Sequence, residues 1–183
     1  YLAKQNRSLG VSEDELIEIA IKSLGLNELS NFDPQQKIIE YKLRNASNEK
    51  LIRMNLIAFA NETASESPAP GGGSISAYVG SLGAALGTMV ANLSAGKRGW
   101  EDQFPSFSAW AEKGQAIKDK LLKAVDEDTA AFNKIMTAFS LPKSNDAEKA
   151  ARTEAIEAAT KFACEVPFSV MQTSYNSLEL LAY

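Results

Sequence analysis

The sequence predicts an all-α fold: an antiparallel helical bundle with a Gly-rich loop before a long small-residue helix. Three observations carry that expectation. Four segments repeat apolar residues at helical spacing, three of them long and joined by short connections, which is the pattern of antiparallel neighbours. No stretch alternates apolar and polar residues as a strand does, and no fixed-period repeat is present. Ile75 to Leu93 carries no charge and is rich in Ala, Gly and Ser, so neighbouring helices can pack tightly against it.

With 183 residues the chain holds one good-sized domain or a domain plus a fragment. A net charge of −4 argues against a nucleic-acid surface. The single Cys164 excludes an intramolecular disulfide framework and suits a reducing compartment. Tyr1 to Arg7 has no apolar stretch of the signal-peptide kind, so the chain is expected to be soluble and cytoplasmic. There is no histidine. Acid–base chemistry must then fall to Asp, Glu, Lys, Tyr or Cys, and metal sites rich in His or Cys are excluded.

Residues 1–45 are expected to be the tail of an upstream domain with a linker at Asn45 to Asn48, and residues 46–183 the helical domain. Ser12-Glu13-Asp14-Glu15 is a capping box. It opens a helix with Leu16, Ile19, Ala20 and Leu24 at helical spacing, ending at Gly25. Asp33-Pro34 starts a short helical turn whose apolar part is Ile38 and Ile39. Two small helices cannot bury a core alone. Residues 49–65 form a candidate helix with Leu51, Ile52, Asn55, Phe59 and Glu62 along one side, stopped by Pro68 and Pro70.

Those prolines impose an extended approach, because the residue before a proline is pushed out of helical geometry. Gly71, Gly72 and Gly73 follow, and Ser74 is a candidate N-cap for a helix of about 24 residues, or about 36 Å. The glycines either form a structural turn or let a ligand approach bare backbone. They are not a P-loop, which needs Gly-Lys-Ser/Thr at the helix start, and no strand precedes them as the dinucleotide fingerprint requires. The uncharged run is long enough to span a membrane. Ser76, Ser81, Thr88, Asn92, several glycines and the lack of an aromatic belt argue against that use. Gly96 ends the helix, and Lys97 and Arg98 suit the negative end of its dipole. They serve either as capping charges or as a clamp for an anionic ligand tail.

Gly99 to Ser108 is expected to be loop, packed down by Trp100 and Phe104. Residues 108–139 form the second long helix, whose inward seam repeats every seven residues. Gly114, Leu121, Asp128 and Ile135 take one seam position; Trp110, Ile117, Ala124, Ala131 and Ala138 take the other. Asp126 and Glu127 fall off the seam and are expected in solvent. Asp128 falls on it. Burial would raise its pKa above the ordinary value of about 3.9. It is either a structural carboxylate, paired with a base or hydrogen-bonded across helices, or a general acid/base. After Leu141-Pro142-Lys143, Ser144, Asn145 or Asp146 caps a third long helix over residues 147–182. Ile156, Ala159, Ala163, Val166, Val170 and Leu181 are expected inward, with Cys164 a small core residue and Pro167 a kink.

The run SESPAPGGGSISAYVGSLGAALGTMVANLSAGKR, followed in order by VDEDTAAF, LPKSNDAEKAAR and VPFSV, resembles the formimidoyltetrahydrofolate cyclodeaminase family. Upstream, LGLNELSNFDPQQKIIEYKL resembles the end of a glutamate formimidoyltransferase domain. Together they resemble the bifunctional formimidoyltransferase–cyclodeaminase family over nearly the whole chain. The resemblance implies an all-helical domain that forms homodimers or higher homo-oligomers. It also implies closure of 5-formimidoyltetrahydrofolate to 5,10-methenyltetrahydrofolate, with release of ammonia, in histidine breakdown. The family's catalytic aspartate matches Asp128. Pro70, Gly71, Gly72, Gly73 and Ser74 are the expected folate-binding residues, with free backbone N–H groups at the helix start. Lys97 and Arg98 would hold a polyglutamate tail. The substrate is a tetrahydrofolate derivative; no metal, nucleic acid or membrane partner is implied. Further helices would follow Tyr183. Methenyltetrahydrofolate cyclohydrolase is the sister activity, and a non-catalytic helical oligomerisation module the remaining alternative.

Overall fold

A computed structural model describes residues 1–46 and 51–181. Among the described residues eight α-helices run in chain order: α1 (Glu13–Ser23), α2 (Leu26–Leu29), α3 (Pro34–Lys37), α4 (Ile39–Ala46), α5 (Leu56–Thr63), α6 (Gly72–Ala95), α7 (Phe104–Ser140) and α8 (Asp146–Ser177). No strand occurs among the described residues. The all-α antiparallel bundle expected from the sequence is the architecture found. Its body is α6, α7 and α8. Ser74 meets Val125, and Gly114 meets Thr88, so α6 and α7 run antiparallel.

Small residues set the spacing of these helices. A Cβ added at Gly114 would lie 2.1 Å from the Thr88 hydroxyl oxygen, and one added at Gly80 would lie 2.7 Å from the Ser174 hydroxyl oxygen. Both are far inside contact distance, so the interface has the depth of a glycine and no more. The core gathers Leu51, Ala77, Leu121, Ala124, Val125 and Val170, with Phe59, Tyr78 and Ile117 against it. The seam of α7 is largely as expected: Gly114, Leu121, Ala124, Ala131 and Ala138 are buried, and Trp110, Ile117, Asp128 and Ile135 are half-buried. On α8, Ala159, Val166 and Val170 are buried, and Ile156 and Ala163 half-buried. The side chain of Leu181 lies outside the described set.

Several local expectations are corrected. The N-cap of α6 is Gly71, in extended geometry, and Ser74 lies inside the first turn. The segment 49–65 is not one helix. A 3₁₀ turn at Leu51–Arg53 is followed by α5, whose N-cap Asn55 accepts from the Ala58 N–H at 2.8 Å; residues 49 and 50 fall outside the described residues. Asn55 competes with the backbone for that amide and so starts a new helix. Helix α7 begins at Phe104, with Pro105 in its first turn, where its missing N–H costs nothing. Trp100 is 40% exposed, stacking on Phe107 at 5.5 Å and not buried beneath the loop.

Asp126 is not merely solvated; it accepts from the Leu51 N–H at 2.9 Å and pins that segment to α7. Glu127 is half-buried and pairs with Lys123 at 3.2 Å. Helix α8 takes Asn145 as its cap, runs unbroken through Pro167 and ends at Ser177, with a 3₁₀ turn at Leu178–Leu181. Cys164 is exposed, because it sits on the face of α8 turned from Ala159, Val166 and Val170.

In the upstream segment Ser12 caps α1 as expected, accepting from the Glu15 N–H at 3.3 Å. Asp33 caps α3 in the same way. Leu16, Ala20 and Leu24 are exposed, however, and Ile21 is the buried residue of α1. Helix α1 lies against α2, and Asp14 on it accepts from the Tyr41 hydroxyl, so little of its surface is covered. Ile38 follows α3 as its C-cap and Ile39 is exposed. Asn45 closes α4 with Ala46; Ser47 and Asn48 of the expected linker lie outside the described residues.

Helix α6 is long and apolar enough to cross a membrane by length and composition. In the folded chain one face of it packs on α7 and α8.

Candidate active site

Two helix stretches meet where α6 begins. The extended approach expected from the prolines is not what forms: the chain bends at Pro68 and Pro70, the Ala69–Pro70 peptide bond is cis, and Gly71 alone takes extended geometry before the helix. Gly72 and Gly73 then form the first turn. From α7 come Val125, Asp128 and Thr129, spaced three and four apart and so on one face.

The Asp128 carboxylate lies on the start of α6. Its Oδ2 accepts from the Ser74 backbone N–H at 2.8 Å and stands 3.0 Å from the Ser74 hydroxyl. That hydroxyl also lies 2.8 Å from the Val125 carbonyl and 3.4 Å from the Thr129 hydroxyl. Ser74 is fully buried. Asp128 therefore does what an N-cap side chain ordinarily does, but from another helix: it satisfies a first-turn amide and puts a negative charge at the positive end of the helix dipole. Of the structural alternatives for this residue, the hydrogen bond across helices is the one present.

Gly73 makes the approach possible. A Cβ there would lie 2.1 Å from Asp128 Oδ1, so that oxygen rests over a bare Cα. Gly71 is less constrained, its added Cβ standing 3.9 Å from Oδ2, and Gly72 faces open space. The three glycines, alike in sequence, have three different surroundings.

Beside the carboxylate is a cleft of about 150 Å³, lined by Pro68, Ala69, Gly71, Asp128, Thr129, Phe132, Ile135 and Ala163. Asp128 is the one titratable side chain lining it among the described residues. The volume is below the 300–1,000 Å³ of typical small-molecule sites, so it admits one part of a ligand and leaves the rest outside.

The structure brings Gly71, Gly73, Ser74 and Asp128 together from the residues the sequence singled out, with Gly72 at the rim. Two expectations change. The Ser74 N–H is already donated to Asp128 and is not free for a ligand. Pro70 is buried beneath the loop and does not line the cleft. Lys97 and Arg98 lie at the opposite end of α6, about 36 Å away at 1.5 Å per residue. Both are exposed, and Lys97 Nζ sits 4.0 Å over the Trp100 ring. Sequence reasoning missed Thr129, Phe132 and the loop residues Pro68 and Ala69. Phe132 had a visible signal, one turn beyond Asp128 on the same face. Among the described residues no group of three or more His, Cys, Asp or Glu is placed to hold a metal ion.

Known proteins resemble this chain in sequence and in fold. The family model for formiminotransferase-cyclodeaminase matches residues 55–183, and that for the formiminotransferase domain matches residues 1–44. Formimidoyltransferase-cyclodeaminase of Gallus gallus is 35% identical over all of this chain, which spans 35% of that protein's length. Methenyltetrahydrofolate cyclohydrolase of Methylorubrum extorquens is 36% identical over 67% of this chain and 59% of its own. The crystal structure of formiminotetrahydrofolate cyclodeaminase from Thermotoga maritima superposes with a TM-score of 0.61 at 31% identity, covering 72% of this chain and 62% of that one. The family-model match over residues 55–183, borne by this all-helical body, places the chain in the formiminotransferase-cyclodeaminase family.

Proposed function

We propose that this chain carries cyclodeaminase activity: it closes 5-formimidoyltetrahydrofolate to 5,10-methenyltetrahydrofolate and releases ammonia. On this reading it works in histidine breakdown, within a cytoplasmic protein that also bears a glutamate formimidoyltransferase. The observation that carries the reading is the Asp128 carboxylate, held by Ser74 at the mouth of a cleft with Oδ1 over Gly73.

Ring closure begins with N10 attacking the amidinium carbon. The new bond leaves a proton on a positively charged N10, and the ionised Asp128 accepts it. The same carboxyl group then gives that proton to the amine on the tetrahedral carbon. Ammonia departs, and the N5 and N10 lone pairs complete the methenyl cation. One carboxyl group serves both steps, which asks for no metal. The Phe132 and Ile135 wall offers the apolar surface a pterin or aminobenzoyl ring requires.

Following ammonia and methenyl absorbance together tests this in the full-length protein. Asp128→Asn should lower turnover by about 10²- to 10⁴-fold. Near-normal turnover in that variant removes Asp128 from the mechanism. The similarity to a methenyltetrahydrofolate cyclohydrolase supports a second reading. Water-dependent opening of methenyltetrahydrofolate, without ammonia release from the formimidoyl substrate, would select it.

The same reading makes the protein a homo-oligomer through α6. Val79, Leu82, Leu86, Met89, Val90 and Leu93 form an exposed apolar stripe on the side turned from α7, and such a face calls for a partner. Val79, Leu86 and Leu93 recur every seven residues, the spacing of a shallow-angle helix pair. Ile75 and Lys97 are equidistant from Leu86 in the sequence. Antiparallel pairing about Leu86 would therefore set the partner's Lys97 beside this chain's first turn of α6. There it could meet a polyglutamate tail, which no Lys97 of the same chain can reach.

A further inference from the structure

Ser74 Oγ has three oxygens around it and one proton to give. The Val125 carbonyl is at 2.8 Å, Asp128 Oδ2 at 3.0 Å and the Thr129 hydroxyl at 3.4 Å. A hydroxyl donates once at a time. Its choice between the first two depends on the charge of Asp128, because an ionised carboxylate is the stronger acceptor and a protonated one the weaker. The Ser74 backbone N–H donates to Oδ2 at 2.8 Å, and a carboxyl oxygen can accept that bond whether the group is ionised or protonated at its other oxygen.

We infer that Ser74 is a positioning residue with a switching hydroxyl, which divides the labour between the two oxygens of Asp128. Oδ2 is the anchored oxygen. Oδ1, over the bare Cα of Gly73, is the oxygen that exchanges the proton. While Asp128 is ionised the hydroxyl donates to Oδ2. When Oδ1 takes the N10 proton, the hydroxyl turns to the Val125 carbonyl. When Oδ1 gives that proton to the departing amine, the hydroxyl turns back. No proton leaves Ser74 at any stage, and the carboxyl group ends as it began. The buried site keeps water from substituting for the hydroxyl, since Ser74 is 0% exposed. This role rests on Asp128 being the proton carrier proposed above.

The groups facing Asp128 are few. Among the described residues, Gly73 and Ser74 come from α6, Thr129, Phe132 and Ile135 from α7, Ala163 from α8, and Pro68, Ala69 and Gly71 from the loop, none of them titratable. Glu127, next in the chain, pairs with Lys123. A shift in the pH profile on changing Ser74 would therefore report on Asp128.

The experiment is the pH–rate profile of Ser74→Ala in the full-length protein, with thermal unfolding as the control for folding. The backbone N–H remains, so Asp128 keeps its anchor and loses the hydroxyl. The expected result is a kcat lower by about 10- to 100-fold, the effect of one hydrogen bond to a charged group. KM for the folate should stay within about twofold, and the acid limb of kcat should move to higher pH as the ionised form loses a donor. An unchanged kcat, or a lower kcat with the acid limb unmoved, overturns the switching role. If Ser74→Ala does not fold, Ser74→Cys keeps the volume with a poor donor and must show the same displaced limb. Asp128→Asn separates the two levels. An inactive Asp128→Asn beside an unshifted Ser74→Ala removes the role of Ser74 alone; an active Asp128→Asn removes both.

Discussion

The two ends of α6 are built by different means. At the N-terminal end the cap is supplied by Asp128 from a separate helix, and Gly73 exists in that place because a Cβ would strike the carboxylate. At the C-terminal end, Gly96 is the cap. Asn6 Nδ2 donates to its carbonyl at 3.0 Å, and Lys97 lies on an exposed tryptophan. Both ends are met by residues distant in the chain, but one is a junction with a charge half-buried in it, and the other is held by an exposed amide and open to water. Helix termini need their free amides and carbonyls satisfied, and either solution does that. Only the first also leaves a carboxylate oxygen facing a cleft, which is why chemistry is assigned to that end.

The comparison is broken most severely at Asp128, where Asp128→Asn is expected to abolish most ammonia release while the thermal midpoint moves little. Asn can still accept from the Ser74 amide but cannot carry the proton. A large fall in the midpoint would instead make Asp128 chiefly a structural cap.

Next in size is a pair of neighbouring glycines. Gly73→Ala puts a methyl group 2.1 Å from Asp128 Oδ1, so the carboxylate must leave or α6 must shift. The expected cost is about 1–3 kcal/mol of stability, the range for overpacking, together with loss of turnover. Gly72→Ala meets nothing within 4 Å and should stabilise by about 0.5 kcal/mol through the lost glycine entropy. Denaturant unfolding of both variants checks the contrast. Equal effects would mean that the carboxylate does not rest where it is described.

The opposite end is probed by tail length. Lys97→Ala should raise KM about two- to fivefold for a long polyglutamate and leave the monoglutamate unchanged, the size expected of an exposed charge contact. Leu86→Lys, which charges the open apolar stripe, should dissociate the oligomer in sedimentation and remove the tail-length dependence. A dependence that survives dissociation would place the tail on its own chain's residues, against the length of α6.

Much of this was legible in the sequence because it is periodic. The seven-residue seam of α7 located Asp128 among Leu121, Ala124 and Ile135, and the small residues of α6 marked a close helix pair. What failed is non-local. Ser74 has the composition of an N-cap, and nothing nearby in the chain shows that α7 supplies the cap and that Ser74 turns inward to hold it. Asp126 is off the seam, and only the fold brings the Leu51 amide to it. Cys164 was judged by its small apolar character, although five residues from Ala159 place it well round the helix, on the water side. The distance between the glycines and the basic pair, by contrast, follows from the length of the uncharged run alone.

The smallest effect expected belongs to the open end and concerns pH. Glu101 Oε1 accepts from the Gly99 N–H at 3.0 Å. That bond, and then the residue's own backbone amide, hold the Glu101 carboxyl below its ordinary value of 4.5. A depressed folded-state value means that the ionised form favours folding. The contribution is present above the unfolded value and is lost as pH falls through the folded one. Glu101 is fully in solvent, so the gain is small and salt-sensitive. The midpoint of wild type should exceed that of Glu101→Gln slightly at neutral pH, and the gap should close as acidification passes the ordinary carboxyl value and then the lowered one. A gap that widens in acid would mean that the Gly99 turn is held by something other than the Glu101 carboxylate. The turn that follows the open end of α6 would then be held otherwise than by its own carboxylate.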